Sequence, residues 1–324
     1  MKKKQRRVTS TDVARESGVS RATVSYVLNN DQRQTISPET RERVLKAVQK
    51  LGYQPFAPAR ILRTGYSNLV LAVIQFEQID PNIARDLKYL EAGLNEQGFT
   101  LICYVGWHNR QSSTHPSTNL TPAVIVSFVD ARDPAEAAFL QQFNVPVLSL
   151  NNSDSGKSVG KTQVTYLVQR GQQRIVFATT ERHDVQRLAQ ARLNGVRQRC
   201  AELGLRPPLV QVIPSSREGS REAIAYVLAH QSPPFGICCY NDEVAFSVIA
   251  ALSKSDIMVP ESVAVIGCDD IPLAQFSIPS LTTIGFQNRN FLDLLIENIL
   301  AASRGESIKE LPPLSLSIIM RESA

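Results

Sequence analysis

The chain has 324 residues, 43% of them apolar and 20% charged, a composition that suits a globular protein of two or three domains and supplies no apolar run long enough to span a bilayer as a helix. Its net charge of +5 is unevenly spread: residues 1–63 carry 14 Lys and Arg against 5 Asp and Glu, a local +9, and the remainder carries 21 against 25, or −4. Basicity gathered into one module points to nucleic acid as a partner.

The opening MKKKQRR leads into a helix start with no hydrophobic segment after it, so no signal peptide is expected and the cytoplasm is the expected location. From Val8 to Asn30 the chain reads as two short helices joined by a tight turn. Thr9 is a good N-cap, with Asp12 placed to reach back to its backbone N–H. Gly18 ends the first helix because glycine takes a left-handed conformation without steric penalty, and Ser20 caps the second at once. On that second helix Val24, Val27 and Leu28 recur at three- and four-residue spacing and face inward, leaving Arg21, Ala22, Ser25 and Tyr26 outward. A third helix is punctuated by Ser37 as N-cap, Pro38 at the first helical position, a buried stripe of Val44, Leu45, Val48 and Leu51, then Gly52 and Pro55. A helix-turn-helix with a basic surface is the signature of a duplex DNA binder.

The run DVARESGVSRATVSYVLN, followed by GYQPFAPARILRTG, resembles the N-terminal domain of the LacI/GalR (lactose and galactose repressor) family of transcription regulators. The domain division that follows is a helix-turn-helix domain at 1–52, a hinge segment at 53–66 and a core at 67–324. The resemblance implies that the A-R-x-L segment is a hinge helix that folds on operator DNA and wedges a leucine into the minor groove. In this chain those residues are Ala59, Arg60 and Leu62, with a plain interdomain tether as the alternative. Phe56 and Pro58 depart from the family's pattern there. Arg21 is expected to read a base, as a bidentate partner of guanine, with Ala22 against a thymine methyl or merely permissive and Tyr26 as a third reader. Ser20, Thr23, Ser25 and Asn29 suit phosphates, and Thr9 belongs with the same surface.

From Asn68 onward, short apolar runs alternate with helix-length segments. Strands are expected at 69–76, 100–105, 123–129, 145–150, 174–178, 209–213, 236–239 and 263–267, and helices at 81–97, 134–142, 159–170, 186–203, 218–230 and 242–254. Such alternation means parallel sheets covered on both faces, and its length calls for two α/β subdomains with a cleft between them. The resemblance continues through VTYLVQRGQQRI, RLNGVRQRCAELGL, YNDEVAFSVIAAL, VPESVAVIGCDDIPLAQFSIPSLTTI and SLSIIMRESA. It implies a core similar to periplasmic sugar-binding proteins, in which the final helix, 288–302, returns to the first subdomain. The segment FEQIDPNIARDL departs from the Asn-Pro-Phe-Phe type stretch common in the family.

In open parallel sheets, ligands bind outside the carboxyl ends of strands, where Asn241, Asp242, Asp269 and Asp270 fall. The resemblance aligns Arg192 and Asp269 with the family's paired ligand anchors, an Arg that grips a hydroxyl or carboxylate and an acid that accepts from sugar or base donors; a structural salt bridge would explain the same pair. Asp242 and Asp270 are expected to cap the helices that follow them. Phe76, Phe128, Trp107 and Tyr240 are placed either to stack on a ring or to fill the core. The five cysteines read as reduced core residues, and four scattered histidines show no metal-ligand spacing. No phosphate loop, nucleophile elbow or metal cluster suggests an enzyme, and no cofactor is expected. The composite reading is a homodimeric regulator, most simply a repressor, of a pseudo-palindromic operator under control of a small effector such as a sugar. An activator, and a regulator that has lost small-molecule sensing, are the alternatives. Lacking a leucine heptad tail after the last strand, the chain is expected to stop at the dimer.

Overall fold

The computed structural model describes residues 8–28, 35–53, 67–74, 76–106, 121–128, 134–150 and 153–324. The chain divides into two compact units, Met1–Ser67 and Asn68–Ala324.

In the first unit, α1 (Ser10–Ser17), α2 (Arg21–Leu28) and α3 (Pro38–Leu51) enclose a small core of Val13, Ala14, Val24, Val27, Val44 and Ala47. The start of α1 is fixed by Asp12, whose carboxylate accepts from the Thr9 amide at 2.9 Å and the Thr9 hydroxyl at 2.7 Å. Its end is fixed by Gly18, whose φ of 68° lies in the left-handed region. The Ser37 hydroxyl accepts from the Thr40 amide at 3.2 Å to begin α3, and Gly52 closes it with φ 59°. The expected stripe of α3 needs one correction. Leu45 is 48% exposed and Ala47 is buried in its place, because the buried face is centred on Val44 and the positions three and four residues after it.

The second unit carries two four-stranded parallel sheets. The first has strand order β2-β1-β3-β4, formed by β1 (Leu69–Ile74), β2 (Thr100–Val105), β3 (Val124–Ser127) and β4 (Val147–Ser149), with α4 (Pro81–Glu96) and α5 (Pro134–Gln141) as connections. After α6 (Ser153–Gln169), the second follows with order β6-β5-β7-β8: β5 (Ile175–Thr180), β6 (Leu209–Ile213), β7 (Phe235–Cys239) and β8 (Val263–Ile266). Its helices are α7 (Gln186–Glu202), α8 (Arg217–His230) and α9 (Asp242–Lys254). The helix α10 (Arg289–Ser303) returns to the first sheet, where Leu292, Leu295 and Ile299 pack with Val70, Leu90 and Leu94. Two features were not anticipated. The α6 helix begins at Ser153, six residues before its apolar stripe, and β9 (Thr283–Gln287) pairs antiparallel with β10 (Ser315–Ile319). These two strands flank α10 and so form part of the connection between the subdomains.

All five cysteines are free thiols; Cys200, Cys238, Cys239 and Cys268 are buried, whereas Cys103 lies exposed on the edge strand β2. Among the described residues no helix is long and apolar enough to cross a membrane, and no group of three or more His, Cys, Asp or Glu side chains is gathered as for a metal.

Candidate functional site

Two surfaces hold the side chains singled out by the sequence. The first is the N-terminal half of α2. Ser20 begins the helix by accepting from the Thr23 amide at 3.0 Å, and the Ser20 and Thr23 hydroxyls lie 2.9 Å apart. Arg21 and Ala22 are exposed, while Thr23, Ser25 and Tyr26 are half-buried, so the last two face outward less fully than their spacing suggested. Thr9 is exposed, and its hydroxyl is already engaged with Asp12. Asn29, Ala59, Arg60 and Leu62 lie outside the described residues, as does Trp107.

The second surface lies at the carboxyl ends of the strands of the second unit. Arg192 projects from α7 and is only 4% exposed. Its guanidinium donates to the Tyr240 carbonyl, lies 4.7 Å from the Tyr240 ring centroid and reaches Asp269 Oδ1 at 3.4 Å. Among the described residues its buried Nε has no partner. Asp269 Oδ1 also receives the Asn82 side-chain amide at 3.2 Å and the Cys268 thiol at 3.4 Å. Burial pushes the Asp269 carboxyl up to about 6, against the opposing pull of Arg192. Asp269 has a φ of 111°, a conformation that an L residue adopts only when its surroundings hold it there. Here the Asp269 amide donates to the Ile284 carbonyl at 2.8 Å, fastening it to β9.

Helix packing sets the depth of Arg192. A Cβ on Gly160 of α6 would lie 2.1 Å from the Arg192 carbonyl, and a Cβ on Gly195 of α7 would lie 2.0 Å from the Lys157 carbonyl. Both positions therefore require glycine for α6 and α7 to approach as they do.

Several expected roles change. Asn241, expected at the ligand crevice, is the N-cap of α9, its side chain accepting from the Val244 amide at 3.0 Å. Asp242 is therefore the first helical residue and no cap. Its carboxylate accepts from the Ile271 amide at 2.9 Å and the Thr283 hydroxyl at 2.5 Å, joining the end of β8 to β9. Burial raises the Asp242 carboxyl to about 7, with the Thr283 and Ile271 hydrogen bonds acting the other way. Asp270 caps nothing either; it accepts from the Arg321 guanidinium at 2.7 Å. Phe76 is buried in the main core and Phe128 packs half-buried against it, so both serve as core residues.

The sequence reading passed over the residues between the subdomains. Arg182, just after β5, donates to Asp80 Oδ1 at 2.7 Å and to Asp184 at 3.2 and 2.8 Å, and reaches the Gln78 carbonyl at 3.4 Å. Asp184 in turn accepts from the Glu77 amide at 2.9 Å. Burial alone would disfavour the charges, but Arg182 and the Glu77 amide hold the Asp184 carboxyl below its usual range. These residues follow β1 and β5, so the strand-end rule that found Asn241 and Asp269 would also have found them.

Residues 9–55 match the family described as "Bacterial regulatory proteins, lacI family", and residues 164–324 match the "Periplasmic binding protein-like domain". Residues 9–55 are thus a LacI-family DNA-binding domain, and residues 164–324 a periplasmic-binding-protein-like one. The HTH-type transcriptional repressor PurR of Vibrio campbellii is 26% identical over 328 residues, covering 94% of this chain and 96% of the relative. The ribose operon repressor of Escherichia coli K12 is 28% identical over 292 residues, covering 85% of this chain and 87% of the relative. In three dimensions the chain is similar to the lac repressor dimer bound to operator and the anti-inducer ONPF, with a TM-score of 0.79 at 23% identity over 98% of this chain and 99% of that one. With these two matched domains, the chain is a non-enzymatic, DNA-binding transcription regulator, with a helix-turn-helix domain followed by a two-subdomain α/β core.

Proposed function

We propose that this LacI-family member is a homodimeric repressor that reads a pseudo-palindromic operator and is controlled by a small polar effector, such as a sugar, bound between its core subdomains in the cytoplasm. The observation that carries the reading is α2, capped by Ser20 at the Gly18 turn and presenting Arg21 and Ala22 to solvent from a strongly basic module. Placed in a major groove, Arg21 reads guanine, Ala22 meets a thymine methyl, and Tyr26 is the third reader. Ser20, Thr23, Ser25, Asn29 and Thr9 face phosphates, and Ala59, Arg60 and Leu62 supply the hinge that widens the minor groove.

Dimerisation is favoured by an apolar patch on the core. Leu273, Phe276 and Ile278 are 62%, 72% and 91% exposed, and they border a groove also lined by Phe246, Ile249 and Ala250. A second copy related by a two-fold axis would cover this patch and bring two reading helices to successive grooves. Arg192, with a buried and unpartnered Nε, and Asp269 are the proposed effector anchors. The names of the relatives favour repression; by analogy with sugar-responsive repressors, effector binding releases the operator.

One specific observation favours the second reading, a regulator without small-molecule sensing. Arg192 is already engaged by Tyr240 and Asp269 of its own chain. Selecting operators from a random duplex pool with the full-length protein, with Leu62→Ala beside it, tests the DNA reading: a palindromic site weakened by the variant is expected, and sequence-independent binding indifferent to Leu62 overturns it. A thermal-shift screen against sugars and nucleosides separates sensing from its loss.

A further inference from the structure

Arg182, Asp80 and Asp184 form a compact charged cluster with side-chain exposures of 20%, 11% and 7%. Its members come from two subdomains. Asp80 immediately precedes α4, on the β1 side of the cleft, and Arg182 and Asp184 follow β5 on the other. The Glu77 amide to Asp184 and the Asn82 side chain to Asp269 cross in the same place. Every one of these bonds uses the chain's own groups on both sides.

We propose that Asp80, Arg182 and Asp184 are a latch that holds the two core subdomains together from within the protein, so that closure of the cleft does not depend on an effector alone. The inference deepens the proposed control of DNA binding through the core and rests on that reading for its regulatory meaning. Its physical basis is independent. A guanidinium shared by two largely buried carboxylates is charge-assisted and poorly screened, unlike an exposed surface pair. A ligand that changes the closure angle must then work against, or recruit, this preformed contact, because it can shift the equilibrium only by its differential affinity for the two arrangements. Arg192 and Asp269 would grip a ligand, whereas Arg182 would set how far the subdomains part before it arrives. Asp80 makes no side-chain cap bond to α4, so its carboxylate is available for the latch without cost to the helix start.

Hydrogen exchange measured by mass spectrometry on the full-length protein tests this, with Asp80→Ala as the principal variant, Asp80→Asn as the conservative one and Arg182→Ala as its counterpart. Glu77 reports directly, since its amide is bonded to Asp184 across the cleft. Asp80→Ala and Arg182→Ala are expected to raise exchange about tenfold in both the 76–82 and the 181–186 segments, as loss of a largely buried charge partner should. Asp80→Asn should fall between wild type and Asp80→Ala. The double variant should be no faster than Arg182→Ala alone, because Asp80 acts through its contact with Arg182 whereas Arg182 also holds Asp184. Strands β7 and β8 should keep their wild-type protection, which shows that the fold is intact. Acceleration confined to the start of α4, with 181–186 unchanged, overturns the latch, as does additivity in the double variant. Operator selection run on the same samples separates the two failures: a wild type that selects no operator defeats the regulator reading and leaves the exchange result standing.

Discussion

The reading module and the cleft solve opposite problems of construction. In the module, each helix carrying functional side chains starts on a capping bond made within a few residues: Thr9 with Asp12, Ser20 with Thr23, Ser37 with Thr40. In the cleft, Asp80 meets Arg182 from 102 residues away and Asn82 meets Asp269 from 187 residues away. Local capping and one small shared core make a surface confined to about fifty residues, suited to presenting one helix to DNA. The cleft exists only when two sheets are assembled, and that same dependence makes it responsive to anything that alters their assembly.

The comparison breaks most severely where the core is least tolerant. Gly160→Ala, or Gly195→Ala, would drive a methyl into backbone at the α6–α7 crossing and displace the helix that carries Arg192. The expected cost is about 3 kcal/mol, read as a lower urea midpoint of the core transition with operator-contacting residues untouched. A wild-type midpoint for Gly160→Ala would show that the two helices are not held at this separation.

The carboxylates beneath the cleft give the next effect, on the order of a few kcal/mol across the whole titration. Asp242 and Asp269 have folded-state values raised to about 7 and about 6. A raised carboxyl means that the folded chain binds its proton more tightly than the unfolded chain does. Stability is therefore greater at the acid end of the window and falls as pH rises through 6 and then 7. Urea unfolding followed from pH 5 to pH 8 should show this decline for the core; a flat or rising profile would mean that these groups are solvated more freely than their burial implies.

Arg21→Ala sharpens the contrast from the other side. It should leave the folding of the module unchanged and reduce discrimination at one operator position by about 1–3 kcal/mol. Uniform weakening on every sequence would instead make Arg21 a phosphate contact.

What could be read from the sequence follows the same division. Caps and glycine stops lie within three or four residues of what they stabilise, so α1 to α3 were legible, as were the eight parallel strands from their apolar runs. In Asn241-Asp242 two good cap residues are adjacent, and only the extended backbone of Asn241 decides that it takes the cap, freeing Asp242 to bind Ile271 and Thr283. The β9 strand, TIGFQ, mixes glycine and polar residues, and its partner lies beyond a whole helix, so no local pattern announced it. Arg182 and Asp80 each look like ordinary surface charges until the sheets bring them together.

The smallest effects test the module alone. Ser20→Ala removes the acceptor for the Thr23 amide and should cost about 1 kcal/mol of module stability, the usual worth of an N-cap. Leu45→Ser should cost within about 0.5 kcal/mol, since Leu45 is 48% exposed and contributes little to the core centred on Val44 and Ala47. The two substitutions are therefore ordered against hydrophobicity: the hydroxyl outranks the leucine. Thermal unfolding of the two variants side by side decides it. If Leu45→Ser proves the more damaging, Leu45 is covered in solution by something beyond this module's own core, and the self-sufficiency that separates the module from the cleft is lost.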